Sequence, residues 1–130
     1  MNYIVLDDIE FTLLDDGIEY ADLSLTLRFI LGESTLEEVE SYAKNMPEVL
    51  NIYSKINDLI SGTFKGYTEL YSIKKLVDYP VEDTYTDVIE LVLNRPEDVW
   101  FYVTQIRKNK MTLDDVPQRL RESVERALEY

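Results

Sequence analysis

The side chains able to do chemistry in this chain are mostly carboxylates and phenols. There are 26 Asp and Glu and ten Tyr, but no His and no Cys. Without imidazole or thiol there can be no Ser-His or Cys-His nucleophile pair, and no thiolate or imidazole metal ligand. Carboxylate pairs are the remaining option, at Asp7-Asp8, Asp15-Asp16, Glu37-Glu38 and Asp114-Asp115. Two close carboxylates can share acid and base roles, or hold Ca²⁺ or Mg²⁺. No EF-hand spacing surrounds them, and each pair has a local structural reading as a turn or a helix start. Gly62 and Gly66 flank Thr63-Phe64-Lys65 without a Walker or dinucleotide pattern, so a bend or bulge is the plain reading. The tyrosines suit strands and, where exposed, contact surfaces. These residues point to no catalytic site, no metal site and no cofactor.

The elements that position these groups can be read from periodicity. Tyr3, Val5, Ile9, Phe11 and Leu13 give a β-like start interrupted by Asp7-Asp8. Asp15-Asp16-Gly17 reads as a hairpin turn, with Ile18 and Tyr20 starting the return strand. Leu23, Leu25, Leu27 and Phe29 alternate strictly with polar residues, the mark of a strand with one buried face. Ser34 and Glu37 form a capping box ahead of a helix over about 35–46, with a stripe of Leu36, Val39, Tyr42, Ala43 and Met46. Pro47 ends it.

The segment 49–62 fits a helix or a hairpin. Its β-branched and aromatic residues favour the hairpin, with strands Leu50–Tyr53 and Leu59–Phe64 turning at Asn57-Asp58. Thr68–Val77 reads as a strand and Tyr79–Asp83 as a loop. Thr84–Leu93, apolar on both faces, reads as a central strand. Asn94 then caps a helix running to about Lys108, and Asp115 caps a last helix striped by Leu120, Val124, Ala127 and Leu128. The fold class is α+β. A small, mainly antiparallel β domain over residues 1–94 carries one amphipathic helix, and a helical pair over 95–130 follows.

Trp100, Phe101, Tyr102, Ile106, Lys110, Thr112, Leu113, Asp115, Val116, Pro117, Arg121, Val124 and Leu128 carry a family resemblance. This C-terminal segment, about a quarter of the chain, resembles a family of very short proteins encoded in the tail module of phages of Gram-positive bacteria and of phage-tail-like particles. The resemblance implies a structural or accessory role and supplies no catalytic residue. It places the protein in the host bacterial cytoplasm or the virion tail.

Charge narrows the partners. Residues 1–94 hold 19 acids and 6 bases, the whole net charge of −13, whereas residues 95–130 hold seven of each. Phosphate is repelled by such a body, so direct nucleic-acid binding is not expected. No apolar run approaches twenty residues and no basic-then-apolar leader opens the chain, which predicts a soluble protein without membrane contact. The expected partner is a protein: a phage tail protein, a second copy, or a basic host defence protein met by nucleic-acid mimicry. The helical pair has more apolar surface than two short helices can bury. Trp100, Phe101, Tyr102, Val116, Pro117 and Arg121 are therefore the candidate contact residues. Docking of that surplus onto residues 1–94 is the alternative.

Overall fold

The computed structural model describes residues 1–130. Seven strands form one antiparallel sheet: β1 (Asn2–Leu6), β2 (Ile9–Tyr20), β3 (Ser24–Ile30), β4 (Val49–Ser54), β5 (Ile60–Lys65), β6 (Glu69–Val81) and β7 (Thr84–Asn94). Their order is β5-β4-β1-β2-β3-β7-β6. The helices are α1 (Leu36–Ala43), α2 (Glu97–Arg107) and α3 (Gln118–Leu128), with a 3-10 turn at Leu113–Asp115. No helix is long and apolar enough to cross a membrane. The α+β class is as the sequence predicts.

β3 shows how alternation becomes structure. Leu25, Leu27 and Phe29 are fully buried, while Thr26, Arg28 and Ile30 lie half-buried on the opposite face. β7 pairs with β3 on one side and β6 on the other, the interior position that its apolar faces predict. α1 lays Val39 and Ala43 into the same core as β1, β3 and β7, joined there by Met46 just past its end. It touches both β1 and β6, four strand positions apart, so the sheet curls around it.

Several boundaries differ from the sequence reading, each for a physical reason. The first hairpin turns at Asp7-Asp8, both at positive φ (51° and 64°), in the two-residue geometry that matches strand twist. Asp15-Asp16-Gly17 is not a turn. β2 runs straight through it, and Leu14 to Gly17 stand opposite the single residue Arg28 as a bulge. There β2 exchanges β1 for β3 as its partner. The capping box of α1 is Thr35 with Glu38, one residue later than Ser34 with Glu37, because two overlapping boxes occur in Ser34-Thr-Leu-Glu-Glu38. The Tyr79–Asp83 loop shrinks to Glu82-Asp83, since β6 continues to Val81 and keeps Pro80 on the sheet's outer edge. Asn94 ends β7, and Pro96 stands at the cap position of α2. Asp115 closes a capping box with Thr112 on the 3-10 turn, and Pro117 occupies the cap position of α3.

A line of charge crosses the outer face of β2, β3, β7 and β6. Arg28 bonds Glu90 at 2.9 Å and Glu19 at 3.3 Å, and Lys74 reaches Glu90 at 3.2 Å. The Arg28 hydrogen bond holds the Glu90 carboxyl below the ordinary carboxylate range. A depressed folded pKa stabilises above the unfolded carboxylate value, about 4.3, and that contribution disappears as pH falls through the folded value. Glu90→Gln is therefore expected to be less stable than wild type by about 1 kcal/mol at pH 7. The difference closes as pH falls below the unfolded carboxylate value of about 4.3 and through the lower folded one. Paired urea melts across this range check it, because self-repulsion of the acidic body is common to both proteins. A gap that persists at pH 2 would mean that the substitution damages packing rather than charge pairing.

Candidate partner-binding site

The helical pair meets the sheet at one residue that sequence reasoning passes over. Arg95, between β7 and α2, has its guanidinium 3.8 Å from the Trp100 ring centre and 4.2 Å from that of Tyr67. Its Nε donates to the Lys65 carbonyl at 2.9 Å and its Nη1 to the Asp22 carbonyl at 2.8 Å. The Asp22 carboxylate lies 3.6 Å away. Burial pulls the Arg95 pKa down from its ordinary value, the cost of placing the cation between two rings. The neighbouring Tyr67 hydroxyl donates to the Ala21 carbonyl at 2.7 Å, tying the β5–β6 connection to the β2–β3 turn.

Trp100 is 5% exposed and lies flat against Gly66. Gly66 has φ +86°, and a Cβ there would sit 2.5 Å from the indole Cζ2. The seam thus needs glycine twice, for its backbone conformation and for the space that the indole fills. A second tie comes from α3. Arg126 bonds Glu48 at 3.1 Å, and the Tyr130 hydroxyl donates to the same carboxylate. The Tyr130 bond, followed by the Arg126 bond, lowers the Glu48 pKa. A small cavity of about 110 Å³ remains in this seam between Glu48, Gly66, Trp100 and Arg126.

The six candidate contact residues separate by environment. Trp100 and Val116 belong to the buried cluster of the helical pair, with Val99, Val103, Leu120, Val124 and Ala127. Arg121 donates to the Asp114 and Val116 carbonyls at 3.2 and 3.0 Å, strapping the connector to α3. Pro117 is exposed. Phe101 is 55% exposed and stands edge-on to the half-buried Tyr102 at 5.2 Å. The seam takes up Trp100; Phe101, Tyr102 and Pro117 remain at the surface.

A groove opens on the other side of the Arg95 seam. Its volume is about 500 Å³, and Tyr20, Asp22, Gly62, Phe64, Tyr67 and Arg95 are among its walls. Tyr20, Phe64 and Tyr67 form an edge-to-face chain with ring centres 5.2 and 6.2 Å apart. The groove runs beside β5, the strand at the sheet's edge. At the far end of β5 the hairpin tip projects Ile56, Leu59 and Ile60, which are 92%, 65% and 57% exposed. Three large aliphatic side chains held in water at one tip form a contact surface that a partner could cover. The sequence signal for this tip is Lys55-Ile-Asn-Asp-Leu-Ile60, where apolar residues flank a turn.

Comparison of the chain with protein-family models, with curated proteins and with solved structures finds no match.

Proposed function

We propose that this is a non-enzymatic phage tail-module protein, structural or accessory, that works by protein–protein contact. One observation supports the contact role above others: the β4–β5 tip and the adjoining sheet edge expose aliphatic side chains on a body carrying the whole net charge of −13. Such a surface stays dispersed through charge and adheres through a local apolar strip. The tail setting rests on the resemblance of the Trp100–Leu128 segment. The partner is then another tail protein, met in the host cytoplasm during assembly or kept in the virion tail.

The nucleic-acid-mimic reading requires carboxylates in a phosphate-like row. Here Asp7, Asp8, Asp58 and Glu82 occupy positive-φ positions in turns and Asp78 one at a bulge in β6, sites set by the local backbone. Their placement is accounted for by local conformation, so a tail contact is the preferred reading.

Deletion of the gene from its parent phage is the test. The expected result is filled heads with absent or defective tails, restored when the protein is supplied from a plasmid. Normal infectious tails without the protein would refute the proposal. So would loss of a host-defence block as the sole phenotype, which would favour the mimic.

A further inference from the structure

We infer that the helical pair is a hinged cap: α2 and α3 swing off the sheet as one body about Arg95-Pro96, and the contact of Arg126 and Tyr130 with Glu48 is the latch. The motion is internal to the chain and does not depend on a tail role.

The two apolar cores are separate. The 17 buried residues of the sheet core include none from α2 or α3, and the 7 of the helical pair include none from a strand. α2 packs more closely on α3 than on any strand. A guanidinium and a cavity lie between the cores. Arg95 stands between Tyr67 of the sheet core and Trp100 of the pair, and about 110 Å³ stays unfilled beside Gly66, Trp100 and Ala127. A small interface interrupted by polar groups leaves two units free to move, whereas a large hydrophobic one fixes them.

The bonds at the seam are arranged for such a break. Arg95 belongs to the sheet side: its N–H bonds the Leu23 carbonyl at 3.0 Å, its Nε the Lys65 carbonyl and its Nη1 the Asp22 carbonyl. Toward the helical pair it offers the ring stack on Trp100. Arg107 reaches the same indole from the pair, 5.7 Å from the ring centre, and its charge opposes that of Arg95. The hydrogen bonds from the pair to the sheet side, from Arg126 Nη1 at 3.1 Å and from the Tyr130 hydroxyl, both end on Glu48. Glu48 and Arg126 are each half exposed, so water competes for this latch, and ion pairs so placed are weak.

The chain crosses the seam once, at Arg95-Pro96. With the Arg95 N–H bonded to Leu23 and the proline φ fixed, the ψ angles of these two residues are left to turn. Swinging bares the Trp100 indole and the Arg95 face beneath it. Val103, Val116 and Val124, which the pair buries internally, stay covered. A partner that touches either bared group holds the open form.

The chain has no cysteine, so a single introduced thiol reports its own exposure. Ala127→Cys places it on the seam cavity, Val103→Cys inside the helical pair and Val39→Cys in the sheet core. Each full-length variant is labelled under native conditions with fluorescein maleimide, a reagent too large for the cavity, and rates are referred to the same thiol in urea. Ala127→Cys is expected to react at least about tenfold faster than Val103→Cys. Val99→Cys, on the same cavity from α2, is the second seam position and decides the matter if circular dichroism shows Ala127→Cys misfolded. Adding Glu48→Ala should raise the seam rate about threefold and leave Val39→Cys unchanged. Equal rates at 127 and 103, both above that at 39, would mean that the pair melts rather than swings. Equal rates at all three would mean that the seam opens only on global unfolding. Either result overturns the proposal, and so does a seam rate indifferent to Glu48→Ala.

Discussion

Trp100→Ala is expected to cost about 3–5 kcal/mol, the range for truncating a buried aromatic. The indole fills the seam against Gly66, stacks on Arg95 and completes the helical-pair cluster, so its loss weakens two interfaces together. The sheet has its own 17-residue core, to which no helical-pair residue contributes. The far-ultraviolet signal of the strands should therefore persist while α2 and α3 loosen. Gly66→Ala provides the cross-check. In the wild-type background it meets both a disfavoured positive φ, costing about 1 kcal/mol, and the indole at 2.5 Å. In the Trp100→Ala background only the φ cost remains. A double-mutant cycle should therefore give a coupling above about 1 kcal/mol. Additivity within error would mean that Trp100 and Gly66 do not touch in solution. Wild type and variants should share one monomeric mass, because the seam is within the chain. A fall in mass on Trp100→Ala would instead make Trp100 an anchor between chains.

What is legible in the sequence follows the range of the interactions. The burial of β3 is a property of its own alternation, so Leu25, Leu27 and Phe29 can be assigned without knowing their neighbours. The β4–β5 hairpin and the helical pair are likewise local: composition favours the first, and short connections with facing stripes the second. Arg95 is not legible. In sequence it is one base before a proline, yet it gathers Tyr67 from 28 residues earlier, Trp100 from five later and the Asp22 carbonyl from 73 residues away. No periodic pattern encodes that convergence. The charge boundary at residue 94 is visible and coincides with the end of β7, but it gives no hint that the neutral segment is fastened by a half-buried cation stacked between two rings. Trp100 reads in sequence as surplus apolar surface. The missing fact is Gly66, whose bare backbone makes the receiving site.

Asp15-Asp16-Gly17 is the instructive miss, and Gly17→Ala is the prediction it yields. Asp-Asp-Gly is a strong turn signal because glycine relieves the backbone of a tight reversal. Here glycine serves a different need. The segment is a bulge in a continuous β2, where four residues face Arg28 alone while the strand changes partners. Such insertions coil a strand and raise its twist. Gly17 does not have a left-handed φ. Its constraint is proximity: a Cβ would sit 2.5 Å from the Arg28 carbonyl oxygen and 2.8 Å from that of Leu14. Both are main-chain atoms, so no rotamer change relieves the overlap; the bulge itself has to move. Moving it disturbs the Leu13–Phe29 and Ile18–Leu27 registers on either side, and with them the buried Leu13, Leu27 and Phe29. Gly17→Ala is therefore expected to destabilise by about 3 kcal/mol, at the upper end for overpacking. Chemical denaturation should show a lower midpoint with an unchanged slope. Asp16→Ala, one residue earlier and exposed, should stay within about 0.5 kcal/mol. If Gly17→Ala proves as mild as Asp16→Ala, the bulge has room that the close approach denies. Asp15-Asp16-Gly17 would then be an ordinary flexible turn after all.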